Sequence, residues 1–239
     1  MTKFKFLTLL TVFFALLLLT SGCSNIFQSK PKLTPDQVLA NSLIPSQSYV
    51  NALGYQQMPQ NYPPGLPPGS EQTTFACLGV TTSIKTADAG MTFFFKAFNG
   101  LDFLRNGAPL KMNAFLVQSM VFKSPSGASE MYNAVNTAKG ATCVIKALIN
   151  YLFIYVNVSY QITSDELTTF KYNGGTGLLI LTSGNKLNTT SPGSIELNIY
   201  AVQLGKTVTF LWSAAAGAQD LINNVQIMNT IYSKYQHSK

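Results

Sequence analysis

The stretch IELNIYAVQLGKTVTFLW, residues 195–212, decides the fold. Apolar and polar side chains alternate over its first six residues, which is typical of a strand with one buried face. β-branched and aromatic residues continue beyond Gly205 and Lys206, and these two residues suit a tight turn. We therefore predict a β-hairpin whose strands cover residues 195–204 and 207–212.

The pattern of residues in the rest of the chain predicts more strands and a few helices. We predict strands over residues 91–98, 114–123, 151–163, 167–172 and 177–182. The sequence shows no internal repeat and no regular alternation of strand and helix, which argues against a Rossmann fold or a barrel. The predicted fold class is α+β: a single domain in which a twisted antiparallel sheet packs with a few helices, including a C-terminal helix.

Four helices are predicted from their start and stop signals. Thr34 suits the N-cap of the first, Pro35 its first turn, and Gln37 completes a capping box. A short second helix starts at Ser46. The third follows Ser124, and Gly140 is expected to stop it. The fourth closes the chain over residues 216–235, where apolar residues keep helical spacing.

Residues 55–74 are predicted to form a proline-rich surface loop. Pro59, Pro63, Pro64, Pro67 and Pro68 fall close together there, and such runs favour an extended, solvated backbone. A peptide motif for an SH3-like partner is the functional alternative. An extracytoplasmic position, which the signal-like residues 1–23 indicate, disfavours that alternative.

The N-terminus has the order of an export signal, with Lys3 and Lys5 before an apolar run over residues 6–19. As a helix this run reaches about 21 Å, short of the roughly 30 Å of a bilayer core. Small residues and then Cys23 follow, and this pattern resembles the lipobox of bacterial lipoproteins, although Thr20 stands where Leu is usual. The resemblance implies that the signal, residues 1–22, is cut before an acylated Cys23.

This interpretation divides the chain into three parts. Residues 1–22 are the signal peptide, residues 23–33 the lipidated cysteine and a tether, and residues 34–236 an extracytoplasmic domain. We expect the protein on the extracytoplasmic face of the cell membrane, held by its lipid anchor, because two or three acyl chains anchor a protein stably. An ordinary secreted protein and an uncleaved anchor are the alternatives.

The amino-acid composition argues against two classes of protein, disordered chains and nucleic-acid-binding proteins. Charged residues make up 10% of the chain against about 25% in an average soluble protein, and hydrophobic residues make up 46%, so a charge-driven disordered chain is excluded. The formal net charge is +7. Arg105 is the only arginine, and the lysines form no run. A nucleic-acid partner is therefore not expected, since such surfaces cluster basic residues and use arginine.

Two cysteines remain beyond Cys23. In an oxidising compartment an isolated pair usually joins itself, so we predict a structural disulfide between Cys77 and Cys143. A redox pair or a metal site is the alternative. The absence of a Cys-x-x-Cys motif and of a nearby histidine disfavours both.

Catalytic groups are scarce in the sequence. His237 is the single histidine and is expected on a polar tail beyond the last helix, where it is a poor general base. The glycine-rich stretch from Gly174 to Gly177 lacks the residue spacing and the lysine of a phosphate-binding loop, so we predict a hairpin turn there. The adjacent acids Asp165 and Glu166 are expected at a solvated turn. We predict no enzymatic activity, no catalytic residue, no metal and no cofactor.

The chain is unusual in its many aromatic side chains. Alternate residues of a strand face opposite sides, so some rings of the predicted strands can face away from the core. Phe94, Tyr151, Tyr155 and Tyr160 are the candidates for a ring-lined cleft that binds an apolar ligand or a sugar. Ordinary core packing, with helices over the other face, is the alternative.

Three stretches carry a resemblance to a known family: FACLGV at residues 75–80, VQSMVFKSPSGA at 117–128 running on to Cys143, and the strand pair at 195–212. Together they resemble the PknH-like extracytoplasmic sensor domains of actinobacteria. The resemblance implies one α+β domain with an antiparallel sheet, a cleft and disulfides, which senses or binds a ligand without catalysis. This chain departs from the family in having one cysteine pair and no Trp just before Cys143.

The sequence thus predicts a membrane-anchored, non-catalytic sensor-like or ligand-binding domain. Its ligand would be a component of the cell envelope: a lipid, a glycan or an envelope protein. A structural or surface-interaction lipoprotein without a small-molecule ligand is the alternative.

Overall fold

A computed structural model describes residues 33–57, 70–80, 86–97, 112–156, 159–187, 194–216 and 221–238. The chain divides into two units, Met1–Leu33 and Thr34–Lys239. The signal sequence, Cys23 and all of the tether except Leu33 lie outside the described residues. Within the described part, no helix combines the length and apolar character needed to cross a bilayer.

The helices and strands follow one another along the second unit in a mixed order. The helices are α1 (Pro35–Leu43), α2 (Gln47–Ala52), α3 (Ser70–Leu78), α4 (Pro125–Val135), α5 (Ala138–Val156) and α6 (Leu221–His237). The strands are β1 (Gln56–Gln57), β2 (Thr86–Ala97), β3 (Met112–Phe122), β4 (Ser159–Tyr172), β5 (Gly175–Leu187), β6 (Ser194–Leu204) and β7 (Thr207–Ala216). The α+β class predicted from the sequence is confirmed.

The described strands form one antiparallel sheet in the order β1-β2-β3-β7-β6-β5-β4. The hairpin of β6 and β7 turns at Gly205 and Lys206 as predicted, and Gly205 has a φ of 59° that favours glycine. The hairpin of β4 and β5 turns at Asn173 and Gly174. The sequence predicts a hairpin turn at Gly174 to Gly177, but residues 175–177 belong to β5. Strand β4 forms one edge of the sheet.

Helices cover both faces of the sheet. One core lies between the strands and α3, α4 and α5, and we call this side the α5 face. The second core lies on the opposite side, beneath α1, α2 and α6, and we call it the α6 face. On the α5 face the fully buried side chains include Val135, Ile145, Leu178, Ile180, Ile199 and Val208. On the α6 face they include Leu43, Val50, Val202, Leu211, Ile227 and Ile231.

The first helix starts as the sequence predicts. The Thr34 side chain accepts a hydrogen bond from the Gln37 backbone N–H, and the Gln37 side chain accepts one from the Thr34 N–H, so the capping box is complete. Such a cap satisfies N–H groups that have no partner within the helix. The Lys234 Nζ of α6 donates to the Ile44 carbonyl at 2.5 Å, just beyond the end of α1, and burial lowers the pKa of this lysine.

One predicted boundary is wrong in the middle of the chain. Gly140 does not stop a helix, because α4 ends at Val135 and α5 begins again at Ala138 with Gly140 in its first turn. The Thr137 hydroxyl oxygen accepts a hydrogen bond from the Gly140 N–H. A Cβ at residue 140 would overlap the Ala134 carbonyl group, so glycine is required here for close approach rather than for termination.

Three further predictions are corrected. Residues 151–156 belong to α5 and not to a strand, and β4 begins only at Ser159. The last five residues of the predicted loop 55–74 lie in α3, residues 56 and 57 form β1, and residues 58–69 lie outside the described residues. Ala216 ends β7 instead of starting the closing helix, which begins at Leu221.

Candidate functional site

Buried polar side chains occur on both faces of the sheet, and on each face some of them lack a hydrogen-bond partner. These include Tyr200 and Thr207 on the α6 face, and Thr182 and Trp212 on the α5 face. A polar group buried without a hydrogen bond costs about 1–3 kcal/mol, so an unpartnered one needs a reason. The α6 face contains Asn198, Ser213 and Asn224, and each is at most 7% exposed. The α5 face contains Thr182 at 3% exposure and the half-buried Trp212.

The polar groups on the α6 face form a connected network. Asn198 of β6 lies opposite Ser213 of β7. The Ser213 hydroxyl donates to the Asn198 carbonyl at 3.4 Å, and the Asn224 side-chain amide of α6 donates to the Ser213 hydroxyl oxygen at 3.2 Å. This network joins the last helix to the centre of the sheet, so its role is structural.

Tyr200 lies beside this network and is 1% exposed. Its hydroxyl has no hydrogen bond of good geometry. The nearby side chains of Asn224 and Asn198 lower the pKa of Tyr200. Burial is the larger effect and raises the pKa of Tyr200 above 10.0. The ring packs edge-on against Phe170, with ring centres 5.0 Å apart, so Tyr200 stays neutral and serves mainly as core.

Among the described residues, the α5 face contains two unpartnered polar atoms. The Nε1 of Trp212 and the Oγ1 of Thr182 are both buried without a hydrogen-bond partner. Trp212 is on β7 and Thr182 is on β5, with β6 between them. Neighbouring strands lie about 4.8 Å apart, so β5 and β7 are about 10 Å from each other. Trp212 lies across from Ile180 rather than from Thr182, so the two residues are farther apart than the strands are.

The register defines what lies between these two residues. Thr182 pairs with Leu197, and Leu197 pairs with Ala214, which is the next residue after Trp212 on the same face of β7. Leu197 is 2% exposed, while Ala214 is half-buried and contributes only a methyl group. These four residues are therefore neighbours on the α5 face, and we call them the Trp212 site.

The chemistry of the Trp212 site favours binding over reaction. An indole N–H can only donate, and a threonine hydroxyl can donate or accept. Neither group titrates near neutral pH, and neither is a nucleophile without a base beside it. Among the described residues, no three of His, Cys, Asp or Glu come together in a way that could hold a metal ion.

The residues predicted to line an aromatic cleft are dispersed over several elements. Phe94 lies on β2 opposite Phe115, and Tyr160 lies near the start of β4. Four strands separate β2 from β4 in the sheet. Tyr151 and Tyr155 lie on the last turns of α5, so their predicted strand positions are wrong. A cleft lined by these four rings stays a prediction, and Tyr151 and Tyr155 lack the strand geometry on which it was based.

The sequence did not single out the aromatic residues that the structure brings together. On the α6 face Tyr172 packs between Phe170 and Tyr232, at centre-to-centre distances of 5.8 and 5.6 Å. On the α5 face Trp212 packs against Phe210 at 5.7 Å. The alternation of residues 195–212 could have separated the two faces, but it could not indicate which side-chain atoms lack a partner.

The predicted disulfide between Cys77 and Cys143 is present, with a Cα–Cα distance of 5.8 Å. It joins α3 to α5, and the sequence predicts no helix at Cys77. Cys143 is 4% exposed and belongs to the buried side of α5. The bond therefore fixes one of the helices that cover the α5 face.

The remaining residues considered for catalysis lie apart from this site. Asp165 and Glu166 lie within β4 rather than at a turn, and both are exposed. His237 is the last residue of α6 instead of part of a tail beyond it, and it is exposed. Because Asp165 pairs with Thr182, it is the charged residue of β4 nearest to the Trp212 site.

Comparison with known proteins gives a loose likeness only. No protein-family model and no curated protein matches the chain. The extracellular domain of PknH from Mycobacterium tuberculosis aligns over 84% of this chain and 96% of its own, with a TM-score of 0.40 and 10% identity. A protein of unknown function from Pseudomonas aeruginosa aligns over 60% of this chain and 82% of its own, with a TM-score of 0.27 and 13% identity.

Neither alignment is close enough to transfer a function to this chain. The sequence resembles PknH-like sensor domains. A structural likeness this loose does not show membership of that family, which stays a prediction.

Proposed function

We propose that this protein is a lipid-anchored domain on the extracytoplasmic face of the cell membrane that binds a component of the envelope without catalysis. The observation that carries the binding role is the pair of unpartnered buried atoms, Trp212 Nε1 and Thr182 Oγ1. In a folded domain such atoms are normally paired, so each unpaired one requires an explanation. A bound molecule with hydrogen-bonding atoms would pair both.

The extracytoplasmic position is supported by two features of different kinds. The Cys77–Cys143 disulfide is of the type that persists in oxidising compartments and is rare in the cytoplasm. The export-like N-terminus and Cys23 have the order of a lipoprotein signal. Acylation of Cys23 would place the domain next to the membrane, where envelope lipids are concentrated.

Native mass spectrometry of the protein extracted from its own membranes tests this proposal. We expect a chain that begins at Cys23, carries acyl groups, and is two hydrogens lighter than the reduced form. A further bound mass is expected on a fraction of the molecules. A Cys23→Ser variant is the control for the anchor, because it loses the acceptor sulfur while the folded domain is unchanged.

Each part of the proposal can fail separately. A non-acylated chain would overturn the anchor. A chain that carries no bound mass, even when extracted under mild conditions and incubated with total envelope lipid, would overturn the binding role. In that case a structural lipoprotein without a small-molecule ligand would be the better description.

A further inference from the structure

We infer that β4 is an interaction surface for a second copy of this chain, and that the two β4 strands pair antiparallel so that two sheets become one. The inference goes beyond the proposed binding function and needs no ligand. It rests on the open edge of β4, on the direction of its free backbone groups, and on opposite charges placed symmetrically about Thr168.

The outer edge of β4 is long and open to solvent. Among the described strands, β4 pairs with β5 alone, and this pairing is regular over residues 164–172. The exposed side chains of β4 point to both faces of the sheet, and they are Gln161, Thr163, Ser164, Asp165, Glu166, Thr169 and Lys171. A segment that covered the edge would bury some of them. A long edge with free N–H and C=O groups is a template for another strand.

The hairpin turn determines which backbone groups of β4 point to the edge. Tyr172 lies opposite Gly175 across a two-residue turn, so these two residues form the hydrogen-bonded pair that closes the hairpin. Backbone groups alternate in direction along a strand, so every second residue before Tyr172 also bonds to β5. The residues between them present their N–H and C=O groups to the edge, and these are Asp165, Leu167, Thr169 and Lys171.

A two-fold axis restricts how two copies of β4 can pair. In a symmetric antiparallel pair, each residue lies opposite a residue on the same face of the sheet. With Thr168 on the axis, Leu167 lies opposite Thr169 of the second copy, and Asp165 lies opposite Lys171. All of these pairs have free backbone groups at the edge, so each can exchange hydrogen bonds with its partner.

The charges of β4 favour this register over its neighbours. Asp165 and Lys171 are exposed on the α5 face, and neither has a salt bridge within the described part of the chain. The Lys171 Nζ donates to the Thr176 Oγ1 at 2.6 Å, and an ammonium group keeps further hydrogens for a carboxylate. With the axis at Thr168, Asp165 of each copy faces Lys171 of the other, which is favourable across a ladder. An axis at Leu167 or Thr169 separates these charges.

The same symmetry suits two copies held in one membrane by the proposed anchor. A two-fold axis perpendicular to the sheet keeps the α6 faces of both copies on one side. The domain begins with α1, and Leu43 of this helix packs in the core of the α6 face. Both chains therefore enter their domains on the same side of the dimer.

Disulfide cross-linking of the full chain tests the dimer and its register. The chain is purified in mild detergent, oxidised with copper phenanthroline and separated on a non-reducing gel. Thr168→Cys places a thiol on the axis, where the Cα atoms of a non-hydrogen-bonded pair are about 4.5 Å apart and a disulfide can form.

Thr169→Cys is the matched control for the cross-link. Its two Cα atoms would be about 8 Å apart, beyond the reach of a disulfide, so we expect covalent dimer to form about tenfold more slowly than in Thr168→Cys. The wild type, treated alike, controls for a thiol at Cys23.

Charge reversal in the Thr168→Cys background tests the ion pairs. Asp165→Lys places like charges opposite each other, and we expect about tenfold slower cross-linking at low salt. Adding Lys171→Asp exchanges the two charges and should restore the rate to within about threefold. Glu166→Lys is the matched control, because it makes the same change of charge on the other face, opposite Phe170, and should alter the rate less than about twofold. Denaturant unfolding shows that each variant is folded.

The outcomes separate the parts of the inference. Equal cross-linking of Thr168→Cys and Thr169→Cys would overturn the register, and an equal loss in Glu166→Lys would overturn the ion pairs. If Thr168→Cys stays monomeric at about 100 μM, where even weak pairs associate, the dimer is overturned and the edge is left for a strand of another protein. The acylation and the bound mass sought by native mass spectrometry do not depend on β4, so a failure of the proposed function is detected separately.

Discussion

The Nζ atom of Lys206 lies 2.5 Å from the Oδ1 atom of Asp36, and this ion pair joins the turn of the β6–β7 hairpin to the first turn of α1. The two side chains are 38% and 25% exposed. Residues 170 positions apart thus meet where the first helix of the domain lies against its last hairpin. The pair is partly open to water, so its contribution to stability is expected to be modest.

A double-mutant cycle measures this ion pair. Lys206→Met, Asp36→Asn and the double variant are compared with the wild type by urea unfolding. We expect a coupling free energy of about 0.2–1 kcal/mol, which is usual for pairs that water and salt screen. The coupling should shrink when salt is added. A coupling above about 2 kcal/mol that is insensitive to salt would contradict this expectation.

Two glycines in neighbouring helices should respond oppositely to alanine. Gly140→Ala would drive a methyl group into the Ala134 carbonyl, and we expect a loss of about 3 kcal/mol in the free energy of unfolding. Gly127→Ala is the control, since its Cβ would meet only ordinary contacts at 3.6 Å or more. It should stabilise α4 by about 0.5–1 kcal/mol. Equal effects at both positions would show that the α4–α5 junction is loosely packed.

Removal of the disulfide should cost about 4 kcal/mol. Its two cysteines are 66 positions apart, and the chain-entropy account gives this value for a loop of that length. The Cys77→Ala, Cys143→Ala double variant is compared with the wild type in denaturant, with and without a reductant. The reductant should destabilise the wild type alone. Destabilisation of the double variant by the same reductant would mean that another group is responsible.

The stability of the domain should fall as the pH rises above about 10. Burial raises the pKa of Tyr132, Tyr172 and Tyr200 above 10.0, so the unfolded chain loses these protons first. The folded state then binds more protons than the unfolded state, and stability decreases with pH. Lys234 acts in the opposite direction, because its pKa is lowered from 10.5 and stability rises as the pH passes from its folded value to 10.5.

Tyr200→Phe isolates one part of this dependence. We expect the variant to lose less stability than the wild type when urea unfolding is compared between about pH 9 and pH 11. At neutral pH the two should be nearly equal, because the missing hydroxyl has no hydrogen bond of good geometry. An unchanged slope above pH 10 would mean that Tyr200 ionises in the folded state as it does in the unfolded one.

The features predicted best from the sequence are those set by local chemistry. The capping box at Thr34, the start of α4 after Ser124 and the turn at Gly205 each depend on residues within a few positions of one another. The alternation of residues 195–200 predicted β6, because one face of that strand packs beneath α5 and the other beneath α6.

The features that the sequence missed depend on distant contacts. Residues 151–156 are almost all large and apolar, and such a run suits a buried strand or a buried helix equally. The run continues a helix already started at Ala138, and this decides its state. The Trp212 site also depends on distant contacts. The register of β5, β6 and β7 places Thr182 and Trp212 on one face, and the spacing of residues along the sequence does not predict this register.

The pairing of β3 with β7 determines when the sheet can form during synthesis of the chain. These central strands pair from Met112 with Ala216 to Val121 with Thr207, so the middle of the sheet closes only after nearly the whole chain has been synthesised. Long-range pairing of this kind folds slowly, because the entropy of closing the intervening loop is lost before the contacts form. Under the proposed export, such a chain would stay open long enough to be threaded through a translocation channel and would gain its final shape on the far side.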